Sequence, residues 1–451
     1  MENSLGARFL YDETRIPYGR IELVDLFELA AKLQQAKIIT DINPIISPPD
    51  EPPFFQWRVE CATPDKHAAG GMAITDERDA VLPALAEAVE RYLWISKNDY
   101  FVAPMTATAE EIKSHGPAIL PTQYAGYTDK QRAEDPRRTL QADAKYLWIK
   151  GHSYTKDNSV FIPAQIISGY HGTHATHSGR EPMILQPITT GLATGPTREF
   201  ALLNGALEIL ERDAFMITWL NQLTPPRIDL NALAKNDVVL MRLLKTCERY
   251  RLYISAVALP TDAPTHAVCV IVRDESGQRP NVTIGLKAHR SLTAAVKGAC
   301  MEALRIRQTI RFRDQHFPLD PNKPKNEIVH LERAQYWGAP GSADKLSFLV
   351  SGHVAGITET PWENDTIEEH WQRILSWCKD SGYECASVDL GRSKHNASPW
   401  KIEMVTMPEM QPMHQTERLI YLGGDRLKSV PKKFGYTPRT EPYAAEPHPF
   451  A

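Results

Sequence analysis

The chain has 451 residues, 42% apolar and 24% charged, with a formal net charge of −4. That balance is globular, leaves room for one large domain or two smaller ones, and lacks the clustered Lys/Arg that non-specific nucleic-acid binding needs. No apolar run approaches the ~20 residues of a membrane span, and MENSLGARFLYDETR at the N-terminus lacks the basic-then-apolar order of a secretory signal.

In chain order, IELVDLFELAAKLQQA (21–36) reads as a helix. NPIISPPDEPPFF (43–55) reads as an extended, surface-lying connector, because consecutive prolines fix φ and remove backbone donors. Residues 100–150 are polar and irregular apart from KYLWIKG. In YHGTHATHSGR (170–180), His171, His174 and His177 have a spacing that would suit zinc on a helix, but Gly172, Gly179 and the Thr/Ser content predict a polar loop near a cleft mouth. Strands are expected at YISAVALP (253–260) and HAVCVIVRD (266–274), both rich in β-branched residues. A loop follows in DQHFPLDPNKPKNEIVH, then a helix in IEEHWQRILSWCKDSG and strands in CASVDLG and KIEMVTM. The final RTEPYAAEPHPFA is too rich in proline for a helix. Cys61, Cys247, Cys269, Cys300, Cys378 and Cys385 are scattered without a CxxC pair and read as reduced core thiols of a cytoplasmic protein. No break separates two domains, so one large mixed α/β domain is expected.

ALEILERDAF (206–215) is echoed by ALAEAVERYL (84–93) and more loosely by ACMEALRIRQ (299–308). Counted from the N-caps expected at Asp76, Thr197 and Ser291, each segment has alanine four residues on, at Ala80, Ala201 and Ala295. Small residues follow at Ala84, Gly205 and Ala299, then glutamates at Glu87, Glu208 and Glu302. These offsets stay on one helical face. The same face continues to Glu90, Glu211 and Arg305, with Arg91 and Arg212 adjoining the first two. An isolated E-x-x-E-R is ordinarily a solvated helix face with ion pairs. A glutamate continuing a small-residue stripe in all three segments is instead directed into a shared cleft. Converging carboxylates repel and raise one another's pKa unless cations neutralise them. Magnesium, held by a few carboxylates and nucleotide phosphates, is the natural occupant.

These segments give the chain a resemblance to the YcaO family. It is carried by TGLATGPTREFALLNGALEILERDAF (190–215), AITDERDAVLPALAEAVERY (73–92) and IGLKAHRSLTAAVKGACMEALRIRQ (284–308), with VFIPAQ (160–165) and VDLGRSKHNASPWKIEMVTMPEMQP (388–412) in support. It spans residues 65–415, leaving a helical segment and connector at 1–64 and a C-terminal segment at 416–451. The resemblance implies a large α/β domain that binds ATP and Mg2+ between acidic helices. It implies Glu87, Glu90, Glu208 and Glu211 as magnesium and phosphate-site carboxylates, Arg212 as a phosphate contact, and Glu302 as completing the acidic set. The sequence departs from the family at Pro83, where serine is usual, at Pro196, where asparagine is common, and at Phe200, where an acid is common. Arg305 stands where glutamine is common and is expected to hold a phosphate or to neutralise Glu302. The ending EPHPFA is similar to the proline-alternating tail of azoline-forming members, which places Pro447, Pro449 and Ala451 near the active site.

The activity so implied is ATP-dependent peptide cyclodehydration. A Cys, Ser or Thr side chain attacks the preceding backbone carbonyl, the oxyanion takes the γ-phosphoryl of ATP, and elimination leaves a thiazoline or oxazoline. There is no Walker G-x-x-x-x-G-K-[ST] loop, so phosphates must be held by the acidic helices and basic residues. The implied partners are a precursor peptide, a protein that captures its leader, and an azoline dehydrogenase acting afterwards; a homodimer is compatible with the sequence. Thioamide formation and a non-catalytic scaffold role are the alternatives.

Overall fold

A computed structural model of the protein describes residues 22–63, 67–96, 99–135, 138–356, 360–441 and 445–450. Helix α1 (Leu23–Gln35) buries Leu26, Ala30 and Leu33, spaced to share one face. It packs against a sheet in which β1 (Ile39–Pro44), β2 (Phe55–Cys61) and β3 (Ala68–Ala73) pair antiparallel in that order. Helix α2 (Arg78–Ile95) lies on this sheet.

A larger sheet has the order β4–β5–β13–β14–β7, with β6 added on β5. Its strands are β4 (Met105–Thr108), β5 (Lys145–Ser153), β6 (Asn158–Pro163), β7 (Leu192–Gly195), β13 (Ala386–Asp389) and β14 (Lys401–Thr406). Helix α3 (Gly169–His177) lies between β6 and β7 in the chain. The third sheet runs β11–β10–β9–β8–β12, comprising β8 (Arg227–Ile228), β9 (Leu252–Leu259), β10 (His266–Asp274), β11 (Val282–His289) and β12 (Val354–Ala355). Further helices include α4 (Arg198–Asn221), α5 (Val238–Arg249), α6 (Leu292–His316), α7 (Ile367–Ser381) and α8 (Arg426–Lys433). The whole is a single α/β domain, and no helix among the described residues is long and apolar enough to cross a membrane. All the cysteines are free and buried.

Helix α4 is the hub, packing on β7, β14, β11 and α7 and buried on nearly every face. Leu202, Leu210, Phe215, Ile217 and Leu220 are each almost fully buried. Large apolar side chains of this kind contribute roughly 1.5–3 kcal/mol apiece on burial.

Several expectations are corrected. Helix α2 begins one residue later than Asp76 would cap it; the Asp76 carboxylate instead accepts from the Arg78 amide, and Glu77 is the flanking residue. Thr197 and Ser291 do cap their helices, accepting from Phe200 and Ala294. The histidine segment is helical, not a loop: Ser168 caps α3 by accepting from His171 N, which offsets the cost of Gly172. His171 Nε2 pairs with Glu181 at 2.8 Å and His174 Nδ1 with the Tyr170 carbonyl at 2.7 Å, so these two do not share a ligand. The proline-rich connector is extended but not wholly superficial. Glu51 is buried, bonded by Arg307 and Arg311 of α6 at 2.9 and 2.6 Å, and Phe54 is buried too. Residues 100–150 contain, besides β5, strand β4 and a short helix at Asp129–Glu134.

Candidate functional site

The echoed segments are α2, α4 and α6, and each lies on its own preceding strand or turn. The small-residue stripe permits this. A Cβ on Gly71 of β3 would lie 1.9 Å from the Ala80 carbonyl oxygen, and one on Gly285 of β11 would lie 2.1 Å from that of Ala299. On α4, a Cβ at Gly205 would lie 2.6 Å from the Gly191 oxygen. With backbone against backbone, the next residue on the stripe reaches the strand's free amides. Glu87 accepts from Gly70 N at 3.0 Å, Glu208 from Gly191 N at 3.0 Å and Glu302 from Leu286 N at 2.7 Å. The three glutamates thus occupy equivalent places in three strand–helix units. Glu211 crosses between units, accepting from Ala288 N at 2.7 Å.

The units converge on a cleft of about 640 Å³ lined by Glu87, Glu90, Glu208, Glu211, Glu302, Arg212 and Arg305. Every helix residue that the sequence placed in the nucleotide site is therefore present in one cavity. Pro83, Pro196 and Phe200 line it as well. Pro83 sits inside α2 rather than in its first turn. A larger cavity of about 810 Å³ opens beside β9 and α5 and contains none of these residues.

The carboxylates are not equally neutralised. Glu87 pairs with Arg91 at 2.5 Å and with Arg305 at 3.2 Å. Burial pushes its carboxyl up, but the two guanidinium groups and the Gly70 amide together hold it below its usual value. Arg212 binds Glu208 at 3.3 Å and also contacts Glu211. Burial opposes its charge, and Glu211, Glu208 and Glu302 outweigh that opposition. Glu90 and Glu302 have no ion pair among the described residues. Burial, with the charges of Glu87 and Glu208, pushes Glu90 up to about 8 against hydrogen bonding from Thr194. Burial pushes Glu302 up to about 7, with Glu211 adding to it and Arg212 and Arg305 opposing. Glu208 is also raised by burial, against Arg212. Arg305, expected to hold a phosphate or to neutralise Glu302, acts on Glu302 through space, and its direct partners are Glu87 and the Gly70 carbonyl, the latter at 2.6 Å.

Sequence reasoning missed Lys287, His289, Arg290 and Trp400, which also line the cleft. Lys287, His289 and Arg290 come from the end of β11 immediately before the Ser291 cap, and that basic run is the signal that was available. Burial, with Lys287 and His370 nearby, lowers His289 to about 4, so it is neutral at physiological pH. Asp213 follows Arg212 but points away, accepting from Arg426 at 2.7 Å and from Gln411 N at 2.8 Å to fasten the C-terminal segment.

The tail touches the wall of this cleft at Arg212, but none of Pro447, His448, Pro449 and Phe450 lines the cavity itself. Pro447, His448, Pro449 and Phe450 are buried, and Ala451 lies outside the described residues. Trp337 Nε1 donates to the Pro447 carbonyl at 2.9 Å, and the His448 amide to Glu417 at 3.1 Å. Glu446 is held by Lys325 at 2.8 Å, Lys345 at 3.3 Å and the Tyr336 hydroxyl. The tail ends with Phe450 against Arg212 and Phe215. His414, Glu417 and His448 offer ligand atoms within 4.8 Å of one another, but Glu417 is already neutralised by Arg333 at 3.0 Å, and the cluster serves as a tail anchor.

Fold and cleft define a class: an α/β protein whose facing helices present hard oxygen donors and guanidinium groups to one cavity, suited to a divalent cation with an anionic ligand. The family description "YcaO cyclodehydratase, ATP- and Mg2+-binding" matches residues 71–410, a stretch that holds every cleft glutamate and arginine. The protein belongs to the YcaO family, whose members are ATP-dependent enzymes, and its cofactors are ATP and Mg2+. An uncharacterized protein of Methanothermobacter thermautotrophicus is 24% identical over 163 residues, 36% of this chain and 41% of that protein. A heterocyclase solved in complex with substrate and cofactor has a TM-score of 0.73 at 21% identity, covering 94% of this chain and 57% of the heterocyclase. YcaO from Methanopyrus kandleri, solved with AMPPCP and Mg2+, has a TM-score of 0.61 at 17% identity, covering 86% of this chain and 90% of that one. The chain thus spans less than two thirds of the first two, and at these identities the structural likeness is one of fold.

Proposed function

We propose that the protein is an ATP-dependent cyclodehydratase that converts Cys, Ser or Thr residues of a ribosomally made precursor peptide to thiazolines or oxazolines. The observation that carries this reading is the set of cleft acids that no protein cation answers. Glu90 and Glu302 are half-buried carboxyl groups without a guanidinium partner, raised well above their usual range, and a hard divalent cation bound with phosphate oxygens would let them ionise. The donor set is made of carboxylate oxygens, which suits Mg2+.

When bound, Mg2+–ATP supplies the phosphoryl group that turns an amide oxygen into a leaving group. The protein's part is placement and charge. Glu87, Glu90, Glu208, Glu211 and Glu302 form the acidic side of the cleft, and Arg212, with Lys287 and Arg290, would hold the phosphates. Phe200, Leu203, Leu207 and Trp400 give the cavity an apolar wall that orients a peptide and limits water. The seated tail, with Pro447 and Pro449 buried and Phe450 against Arg212, would act on the reaction through that arginine. This seating favours azoline formation over thioamidation, and the buried, under-neutralised acids favour catalysis over a scaffold role. A leader-binding partner protein presents the peptide, an azoline dehydrogenase acts on the product, and the free, buried cysteines suit the reducing cytoplasm.

The test is the intact mass of a Cys/Ser/Thr-rich precursor peptide incubated with the protein, its partner, ATP and Mg2+. Stepwise loss of water that vanishes with Glu208→Gln is the expected result. An unmodified peptide with no ATP binding by the unaltered protein overturns the reading.

A further inference from the structure

The three strand–helix units match at Glu87, Glu208 and Glu302 but diverge one turn later, where the first two carry Glu90 and Glu211 and the third carries Arg305. That guanidinium does not stay within its own unit. Arg305 Nη1 reaches Glu87 Oε2 at 3.2 Å and the Gly70 carbonyl at 2.6 Å, binding α6 to both α2 and β3. Arg91 takes the other oxygen of Glu87 at 2.5 Å, and Gly70 N donates at 3.0 Å. Glu87 therefore enters the cleft wall with both oxygens engaged by guanidinium groups. Side-chain exposures of 27% for Arg305 and 23% for Glu87 make the pair a half-buried part of the cleft wall, where either group without the other would be a poorly solvated charge.

We propose that Arg305 is a built-in cation standing where a metal ion would otherwise neutralise Glu87, so that metal binding in the cleft falls to Glu90, Glu208 and Glu302. The inference rests on the nucleotide reading above and deepens it. Mg2+ requires short, direct oxygen contacts in a near-octahedral shell and dehydrates reluctantly, so it does not compete for a carboxylate whose two oxygens are each held by a guanidinium group. Glu90 and Glu302 carry no such partner among the described residues, and Glu208 has a guanidinium on one oxygen only, Arg212 at 3.3 Å, its other oxygen accepting from Gly191 N. The protein then holds one metal ion fewer than the same cleft would with a neutral side chain at 305. Its first strand–helix unit is locked to the third before any ligand arrives.

The test counts Mn2+ bound per chain, by equilibrium dialysis or electron paramagnetic resonance, with a non-hydrolysable ATP analogue in excess. Glu87→Gln is expected to leave the count unchanged and Arg305→Lys to keep it. Arg305→Gln is expected to add one ion, which is lost again in the Arg305→Gln/Glu87→Gln double variant. A count that falls by one in Glu87→Gln overturns the proposal whether or not Arg305→Gln folds, and an unchanged count in folded Arg305→Gln also overturns it. Failure of the unaltered protein to bind the nucleotide analogue overturns the underlying reading, whereas nucleotide binding with the wrong ion count overturns this inference alone.

Discussion

The guanidinium of Arg212 lies 4.1 Å from the ring centroid of Phe450, so a cleft arginine that holds Glu208 and Glu211 is covered on one face by the tail. A cation over an aromatic face contributes about 1 kcal/mol at a partly buried site. The planar guanidinium also loses a surface that fixes its plane if the ring is removed. Phe450→Ala should therefore weaken ATP binding about fivefold, by the conversion of 1.4 kcal/mol per tenfold, with little change in thermal stability. Phe450→Tyr should restore it. Titration calorimetry with a non-hydrolysable ATP analogue gives the affinity. An affinity unchanged in Phe450→Ala would mean that the tail does not position Arg212.

The anchors that seat the tail should matter through the same contact. Glu446→Gln removes the carboxylate held by Lys325 and Lys345, at 2.8 and 3.3 Å. These lysines are about half exposed, and such pairs contribute little to global stability. The expected outcome is a melting temperature within about 2 °C of the unaltered protein, together with faster proteolytic removal of the last residues. Limited proteolysis followed by intact mass reads this directly. Equal cleavage rates would show that Trp337 and Glu417 suffice to hold the tail.

The repeat was legible because it is written in two local codes, a stripe of small residues and a glutamate at fixed offset on the same helical face. Both have causes inside one strand–helix unit: Gly71 against Ala80, and Glu87 on the Gly70 amide. What was not legible depends on contacts between units or on the competition of near-equal neighbours. Arg305 meets Glu87 across 218 positions of chain, and Glu51 meets Arg307 across 256. No local pattern announces either pair, so the sequence alone leaves the connector superficial and the Glu87 partner of Arg305 unnamed. The histidine segment failed differently. By its local sequence Gly172 is a loop former, yet the Ser168 cap and close packing of Gly172 on the Gln165 carbonyl, where a Cβ would come within 2.8 Å, give that glycine a place in a helix.

Gly285→Ala should damage the site without touching a cleft side chain. The added Cβ would lie 2.1 Å from the Ala299 oxygen and 2.5 Å from Ala303 N, backbone atoms that cannot rotate aside. Helix α6 must lift from β11, carrying Glu302 off the Leu286 amide. Overpacking of this kind costs about 1–3 kcal/mol. The variant should melt several degrees lower and lose Mg2+-dependent nucleotide binding more than stability alone explains. A destabilised protein with unaltered nucleotide affinity would separate the packing from the site.

The protonation of Glu90 predicts how ligand binding and pH are linked. Its carboxyl is raised to about 8 in the fold, above the ordinary value of 4.5. A raised carboxyl contributes stability that is fully present below pH 4.5 and is lost as pH rises through 8, because the folded state must then hold a charge that burial and its neighbours disfavour. The metal-free protein should accordingly lose melting temperature between pH 5 and pH 8.5, and Glu90→Gln should flatten that slope. Glu302, raised to about 7, adds to the same trend. A cation that binds these groups must displace their protons. Mg2+–nucleotide binding at pH 7 should therefore release roughly one proton per chain, measured as the dependence of calorimetric heat on buffer ionisation enthalpy. The release should fall by more than half in Glu90→Gln. Binding with no proton release would place the cation away from Glu90 and Glu302.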